Sequence, residues 1–105
     1  MTDIKTLNDN LRKTFNGGIV RISHCMCLKT IKEKFEILSQ VRCFNDFTPD
    51  NDPYNEHDFG SFDYHGEKIF WKIDYYDKNY QYMSEDPSNP DVTLRVMTVM
   101  LAEEY

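Results

Sequence analysis

The chain has 105 residues, of which 40% are hydrophobic and 29% are charged, and its formal net charge is −6. This length and composition predict one folded domain, residues 1–105, and exclude disordered, collagen-like and low-complexity chains. No apolar run approaches the roughly 18 residues that span a bilayer, and the N-terminus lacks a signal-peptide pattern, so the sequence predicts a cytoplasmic protein with no membrane contact.

The first part of the chain predicts a helix, a strand and a second helix. Thr2 is expected to cap the first helix, over residues 3–15, which ends at Gly17 and Gly18. Short β-branched residues then predict a strand over 18–23. The second helix is predicted over 29–43, with an apolar stripe at helical spacing that consists of Leu28, Ile31, Phe35, Leu38 and Val41.

The second part predicts a long polar loop, a hairpin and a last helix. The loop, residues 45–58, precedes strands over 59–64 and 68–76, in which Ile69, Trp71, Ile73 and Tyr75 are expected to face the helices. A second polar loop begins at Asp77, and Pro90 is expected to start a helix over 90–105. The resulting order is α-β-α-β-β-α. It predicts an α+β fold with a small antiparallel sheet of about three strands packed against helices.

Charge is distributed unevenly along the chain. Residues 1–44 carry a net charge of +4, whereas residues 45–91 carry −9. An acidic surface repels phosphate groups and attracts basic protein surfaces, so the sequence predicts no direct nucleic-acid binding. The alternative is that these acidic residues only keep a small domain soluble.

The three cysteines, Cys25, Cys27 and Cys43, predict free thiols rather than a disulfide framework. His24 lies directly beside Cys25, and ligands this close in sequence fit poorly around one tetrahedral ion. The sequence therefore predicts no metal site and no cofactor.

The densest polar cluster lies in the 45–58 loop and consists of Asp50, Asp52, Glu56, His57 and Asp58. Its spacing fails the calcium-loop pattern, because Tyr54 stands where that pattern has a carboxylate ligand and Asn55 stands where it has glycine. Three interpretations remain open: a loop ordered by its own turns, a partner-binding loop, and a catalytic or metal site.

Aromatic residues alternate with acidic residues after position 59, a pattern typical of protein interfaces. Lys72 and Asp74 share one face of a strand, and two interpretations of them stay open, an ion pair and a proton relay. The predicted partner-binding residues are Asp50, Asp52, Glu56, His57, Asp58, Asp74, Tyr76, Asp77, Glu85 and Asp86.

Three sequence blocks resemble a known family. They are DNDPYNEHDFG at 50–60, FWKIDYYD at 70–77 and RVMTVMLAEEY at 95–105. Together they resemble a small bacterial family of unknown function that is often carried on plasmids and other mobile elements. The resemblance implies a context of transfer, persistence or evasion of host defence, and it implies no activity. The region around Cys25 departs from the family pattern.

These observations favour an acidic protein-binding factor, an inhibitor of the anti-CRISPR type, that occupies a basic, nucleic-acid-handling surface of a host protein. The first alternative is a small enzyme or metal-binding protein that uses Asp52, Glu56, His57 and Asp58. The second is a module that forms a homodimer through the predicted helix at 90–105.

Overall fold

The computed structural model describes residues 3–105 and contains three α-helices, four strands and a 3₁₀ turn. Their bounds are α1 Ile4–Thr14, β1 Ile19–Ile22, α2 His24–Cys27, α3 Ile31–Cys43, β2 Phe59–Tyr64, β3 Glu67–Tyr76, β4 Leu94–Leu101 and the turn Ala102–Glu104. Within this described range, no helix has the length and apolar character needed to cross a membrane.

Helix α1 begins at a side-chain cap and ends at a left-handed residue. Asp3 accepts a hydrogen bond from the backbone N–H of Thr6, so Asp3 is the N-cap. The predicted cap, Thr2, lies outside the described residues. At the other end, Phe15 adopts φ 62° and donates its N–H to the Leu11 carbonyl.

The prediction of a helix over 90–105 is wrong, because these residues form β4 and the turn after it. β4 is the second strand in the order β1-β4-β3-β2, so it has a hydrogen-bonded neighbour on each side. Both of its faces are largely buried, and it therefore reads as a nearly continuous apolar run. Such a run fits a buried helix and a central strand equally well. Pro90 lies in a turn before the strand.

The sheet has four strands and mixed pairing. β1 runs parallel to β4, whereas β2 and β3, and β3 and β4, pair antiparallel. The α+β class is therefore confirmed, but the predicted antiparallel three-stranded sheet omitted β4. The helix at 90–105 that was expected to carry self-pairing is absent, whereas formation of a homodimer stays a prediction.

One face of the sheet, the inner face, packs against the helices. Trp71 of β3 is fully buried there, with Leu11 of α1 and Ile37 of α3 in the same core cluster. The prediction that Ile69, Trp71, Ile73 and Tyr75 face the helices is confirmed, because all four belong to this core or pack against it.

Helix α3 buries a different row from the predicted stripe. Ile37 and Val41 are fully buried, whereas Ile31 is 86% exposed and Phe35 is 76% exposed. The helix carries two apolar rows, and the packing rotates only the row through Ile37 and Val41 onto the sheet. The predicted stripe is therefore correct at Val41 and at Leu38, which packs partly buried against the core, and it is wrong at Leu28, Ile31 and Phe35, which are exposed.

The carboxylate of Glu104 ties the end of β4 to the start of α2. It accepts hydrogen bonds from Ser23 Oγ at 2.6 Å, Leu101 N at 2.9 Å and Cys25 N at 3.2 Å. The Ser23 hydrogen bond is the main reason that the pKa of Glu104 falls to about 2. The same carboxylate raises the pKa of the Cys25 thiol.

We expect Glu104→Ala to lower the free energy of unfolding by about 1–2 kcal/mol at neutral pH, the usual cost of losing a capping side chain. The folded-state pKa lies below the ordinary value of 4.5, so this contribution is present above that pH and is lost toward about pH 2. Urea denaturation of both proteins at several pH values measures the difference. Glu103→Ala, at an exposed neighbour, is the control. A difference that stays constant from pH 7 to pH 2.5 would contradict the prediction.

Candidate functional site

The first acidic loop (residues 45–58) and the second acidic loop (residues 77–93) lie along the same edge of β3. The carbonyl of Asp58 accepts a hydrogen bond from Ile73 N at 2.8 Å, and Ser84 N donates one to the Tyr75 carbonyl at 3.0 Å. Both bonds lie beyond the end of the β2 pairing, so the two loops continue the edge where β2 stops. The fold therefore brings together two acidic segments that are separate in sequence.

Asp52 is an internal anchor of the first acidic loop. The residue is 7% exposed, and its Oδ1 accepts from Glu56 N at 2.9 Å and His57 N at 3.2 Å. These bonds hold His57 at a positive φ of 55°. Asp50, in contrast, is exposed. The two carboxylates therefore occupy different environments, and only Asp50 is open to a partner.

His57 is clamped between two carboxylates. Its Nδ1 lies 2.9 Å from Asp9 Oδ1, and its Nε2 lies 3.7 Å from Asp52 Oδ2. The imidazole also stacks on Phe47, with ring centroids 3.7 Å apart and planes 3° apart. The two ring nitrogens thus face Asp9 and Asp52, and one ring face contacts Phe47. Because Asp9 belongs to α1, these contacts attach the first acidic loop to that helix.

Arg12 links Asp9, and through it the first acidic loop, to the hydrophobic core. It is 1% exposed, and its Nη2 lies 3.2 Å from Asp9 Oδ1. Its guanidinium also lies over Phe47 and Trp71, 5.4 Å and 5.3 Å from the ring centroids. Arg12 and Asp9 therefore connect the loop histidine to the hydrophobic core.

A second buried cation, Arg95, holds the other side of the site. Its Nε donates to Asn8 Oδ1 at 2.9 Å, and its Nη2 donates to the Pro87 carbonyl in the second acidic loop. Asn8 is fully buried, and its Nδ2 donates to Tyr75 Oη at 2.7 Å and to the Glu56 carbonyl at 3.0 Å. One asparagine and one arginine therefore join both loops to α1.

Burial changes the proton affinity of two loop carboxylates. The pKa of Glu56 is raised, chiefly by desolvation and then by the charge of Asp58. Burial also raises the pKa of Asp58, and the charges of Asp52 and Asp74 add to this effect. Glu56 lines a cleft of about 400 Å³ between the start of α1, residues 54–56 and Ser88.

The remaining predicted residues lie on β3 and in the second acidic loop. Asp74 forms an ion pair with Lys72 at 2.8 Å, and the ring of Tyr76 stacks on Tyr80 with centroids 4.7 Å apart. Asp77 Oδ1 caps the following turn by accepting from two backbone N–H groups. Glu85 and Asp86 are exposed.

The outer face of the sheet, opposite the helices, carries the alternate residues of each strand. Tyr105 joins Phe59 and Phe70 there in an edge-to-face aromatic group, with centroid separations of 5.2–6.1 Å. At the other end, Tyr80 receives a hydrogen bond from Arg21 at 2.8 Å. The strand residues of the outer face are Ile19, Arg21, Phe59, Ser61, Asp63, Lys68, Phe70, Lys72, Asp74, Tyr76, Leu94, Val96, Thr98 and Met100.

The described part of the chain, residues 3–105, contains no cluster of three His, Cys, Asp or Glu side chains placed to hold a metal ion. Cys25, Cys27 and Cys43 are free thiols, as predicted.

Sequence reasoning missed four polar residues that organise the site: Asn8, Asp9, Arg12 and Arg95. The sequence of α1 did contain an indication of two of these residues, because Asn8 and Arg12 are one helical turn apart and lie on the buried side with Leu11. No spacing rule connects Asp9 with His57, which is 48 residues away. Arg95 was missed because the region that contains it was incorrectly predicted to be a helix.

Comparison with known proteins adds a family but no activity. No curated protein and no solved structure matches the chain significantly. One family model, described as a protein of unknown function (DUF3768), matches residues 21–104 and therefore all four strands apart from the first two residues of β1. The chain therefore belongs to this family of unknown function.

Proposed function

We propose that the chain is an acidic accessory protein of a bacterial mobile element that acts by binding another protein. Its target is a host protein with a basic, nucleic-acid-handling surface, and the bound chain inhibits it in the manner of an anti-CRISPR-type factor. One observation carries the proposal: the two acidic loops meet along one edge of β3, beside an outer face rich in aromatic side chains.

The chemistry of this edge suits a basic partner. The exposed carboxylates of Asp50, Glu85 and Asp86 present negative oxygens that arginine and lysine bind as they bind phosphates. Aromatic rings next to such charges supply contact area with little loss of side-chain entropy. Asp52 and His57 support this surface from inside by holding the first acidic loop in place.

The test is capture of partners from a nuclease-treated bacterial lysate by the tagged protein, followed by measurement of affinity for the purified target. We expect Glu85→Gln combined with Asp86→Asn to weaken binding at least tenfold. The matched control is Glu36→Gln combined with Glu103→Gln, which removes the same charge from exposed positions outside the two acidic loops and outside the outer-face strands. Affinity should also fall steeply with added salt.

Two results would contradict this function. One is equal binding by both double variants, and the other is binding that is unchanged at high salt. If neither the wild type nor the variants capture a partner, the enzyme alternative gains weight.

A small enzyme is the second candidate, and the cleft beside Glu56 favours it. A half-buried carboxylic acid with a raised pKa suits a general acid, and Asp58 lies close enough to influence it. An enzyme would lose its cellular effect in Glu56→Gln while keeping its fold. A full effect in both Glu56→Gln and His57→Ala, with no metal by elemental analysis, would exclude this function.

A further inference from the structure

Helix α3 and the turn before it leave an apolar ridge in contact with solvent. Leu28, Ile31 and Phe35, here called the α3 ridge, are 73%, 86% and 76% exposed and follow one another at spacings of three and four residues. Leu38 continues the row and is half-buried against the core. Ile31, Phe35 and Leu38 share one face of α3, whereas Leu28 lies in the turn before the helix. Soluble proteins commonly expose single apolar residues, but two large exposed side chains on one helix face are typical of an interaction site.

The charges beside the ridge are positive. Lys32 and Lys34 flank Ile31 and Phe35, and no ion pair within residues 3–105 involves either lysine. The acidic residues of the same helix are engaged elsewhere: Glu33 completes a capping box with Thr30, and Glu36 accepts a hydrogen bond from the Tyr64 hydroxyl at 2.6 Å. The ridge thus presents apolar groups bordered by two available cations, in a chain of net charge −6.

We propose that the α3 ridge docks an amphipathic helix of a partner protein, and that acidic residues on that helix pair with Lys32 and Lys34. The spacing of Ile31 and Phe35 by four residues matches the repeat with which one helix packs against another. Phe35 supplies a large aromatic anchor at the centre of the contact. The flanking lysines select an acidic partner over a basic one.

Charge argues against the other occupants of such a ridge. A second copy docked symmetrically through the same ridge would set Lys32 and Lys34 against their own counterparts. An anionic membrane is an extended surface that would face much more of a chain whose net charge is −6, whereas a single helix contacts only the ridge and its two lysines, and more distant charges are screened. An acidic helix satisfies both the apolar row and the cations.

This surface is distinct from the one in the proposed function. The ridge lies on the helical layer, and the acidic edge and outer face lie on the sheet. Loss of one activity should leave the other intact, so the two proposals fail separately.

The experiment is an NMR titration of the full chain with a synthetic amphipathic peptide of about 20 leucine and glutamate residues, long enough to form a helix. A matched peptide with lysine in place of glutamate is the control. We expect shift changes confined to residues 28–42 and an affinity for the acidic peptide at least tenfold above that for the basic one. Ile31→Ser combined with Phe35→Ser should weaken binding at least tenfold.

A second pair of substitutions tests the charges. Lys32→Glu combined with Lys34→Glu should reverse the preference, so that the basic peptide binds more tightly. Because Ile31, Phe35 and Lys32 are exposed and Lys34 is partly exposed, circular dichroism should show the same fold and melting temperature for both double variants.

Several outcomes would overturn the proposal. These are no binding of the acidic peptide, shift changes located on the outer face, and equal affinity for both peptides. A dimer in sedimentation analysis that dissociates in the Ile31 and Phe35 variant would assign the ridge to a second copy. Binding to phosphatidylglycerol vesicles that this variant loses would assign it to a membrane.

Discussion

Arg12→Met is expected to lower the free energy of unfolding by about 3–5 kcal/mol, the cost typical of removing one member of a buried, hydrogen-bonded charge network. Arg12 Nη1 donates to the carbonyls of Val41, Arg42 and Phe44 at 3.0, 3.1 and 2.8 Å. These carbonyls lie at the end of α3, where only the Val41 carbonyl also receives a backbone N–H, that of Phe44. Methionine fills similar volume but donates no hydrogen bond, so all three carbonyls lose the guanidinium donor.

The same substitution should loosen the first acidic loop. Without the guanidinium, Asp9 loses its contact to the core, and Asp9 is the residue that holds His57 Nδ1. Phe47, which stacks on the imidazole of His57, loses its cation–π contact with Arg12 as well. We therefore expect faster amide hydrogen exchange in residues 45–58 even under conditions where the variant remains folded.

Urea denaturation followed by fluorescence of Trp71, the single tryptophan, measures the effect. Arg42→Met is the matched control, because Arg42 is exposed and donates only to the Lys13 carbonyl, at 2.9 Å. Its cost should stay within about 1 kcal/mol. Equal losses in the two variants would show that burial of Arg12 does not set its contribution.

Much of the fold follows from local pattern. The alternation in β3 predicts this strand and its buried side, because one face of the strand is packed against the helices and the other is not. In β4 both faces are packed, so the periodicity that distinguishes a strand from a helix disappears. Its parallel pairing with β1 joins residues about 77 positions apart, and no local signal specifies it.

The candidate site is only partly accessible to sequence reasoning. Clustering of acidic residues identifies both loops, and the turn-forming residues around Pro53 identify the first loop as ordered. Which carboxylates face inward is decided by particular contacts, some within the loop and some with distant elements. Asp52 turns inward to cap its own loop, whereas Glu56 and Asp58 are desolvated by the packing of that loop on β3. The composition of the loop contains no information about these partners.

Arg95→Met is expected to be comparably destabilising at neutral pH, by about 3–5 kcal/mol, because it also removes the cation from a buried network. Asn8 Oδ1 and the Pro87 carbonyl would lose their donor, and the ring of Tyr75 would lose a cation 5.2 Å from its centroid. Since Pro87 anchors the second acidic loop, we expect weaker binding of the proposed partner as well. Arg21→Met, at an exposed arginine of the same sheet, is the control.

The pH dependence separates the charge of Arg95 from its hydrogen bonds. Desolvation raises the folded-state pKa of Glu56 above its ordinary value of 4.5, and Arg95 opposes this shift. When the pKa of a carboxyl group is higher in the folded state, the ionised group destabilises the fold at pH values above that folded-state pKa. For Glu56 this destabilisation disappears below pH 4.5, where the carboxyl group is protonated in both states. Arg95→Met should therefore cost more at pH 7 than at pH 4, where Glu56 is protonated and needs no cation.

Arg95→Lys completes this test, because lysine keeps the positive charge. It cannot reproduce the guanidinium hydrogen bonds to both Asn8 and the Pro87 carbonyl. Its cost should vary less with pH than that of Arg95→Met, and NMR titration should give Glu56 a lower pKa in the lysine variant than in the methionine variant. If both variants lose the same stability at pH 7 and pH 4, the Glu56 charge plays no part. Arg95 would then act only by hydrogen-bonding Asn8 and the second acidic loop.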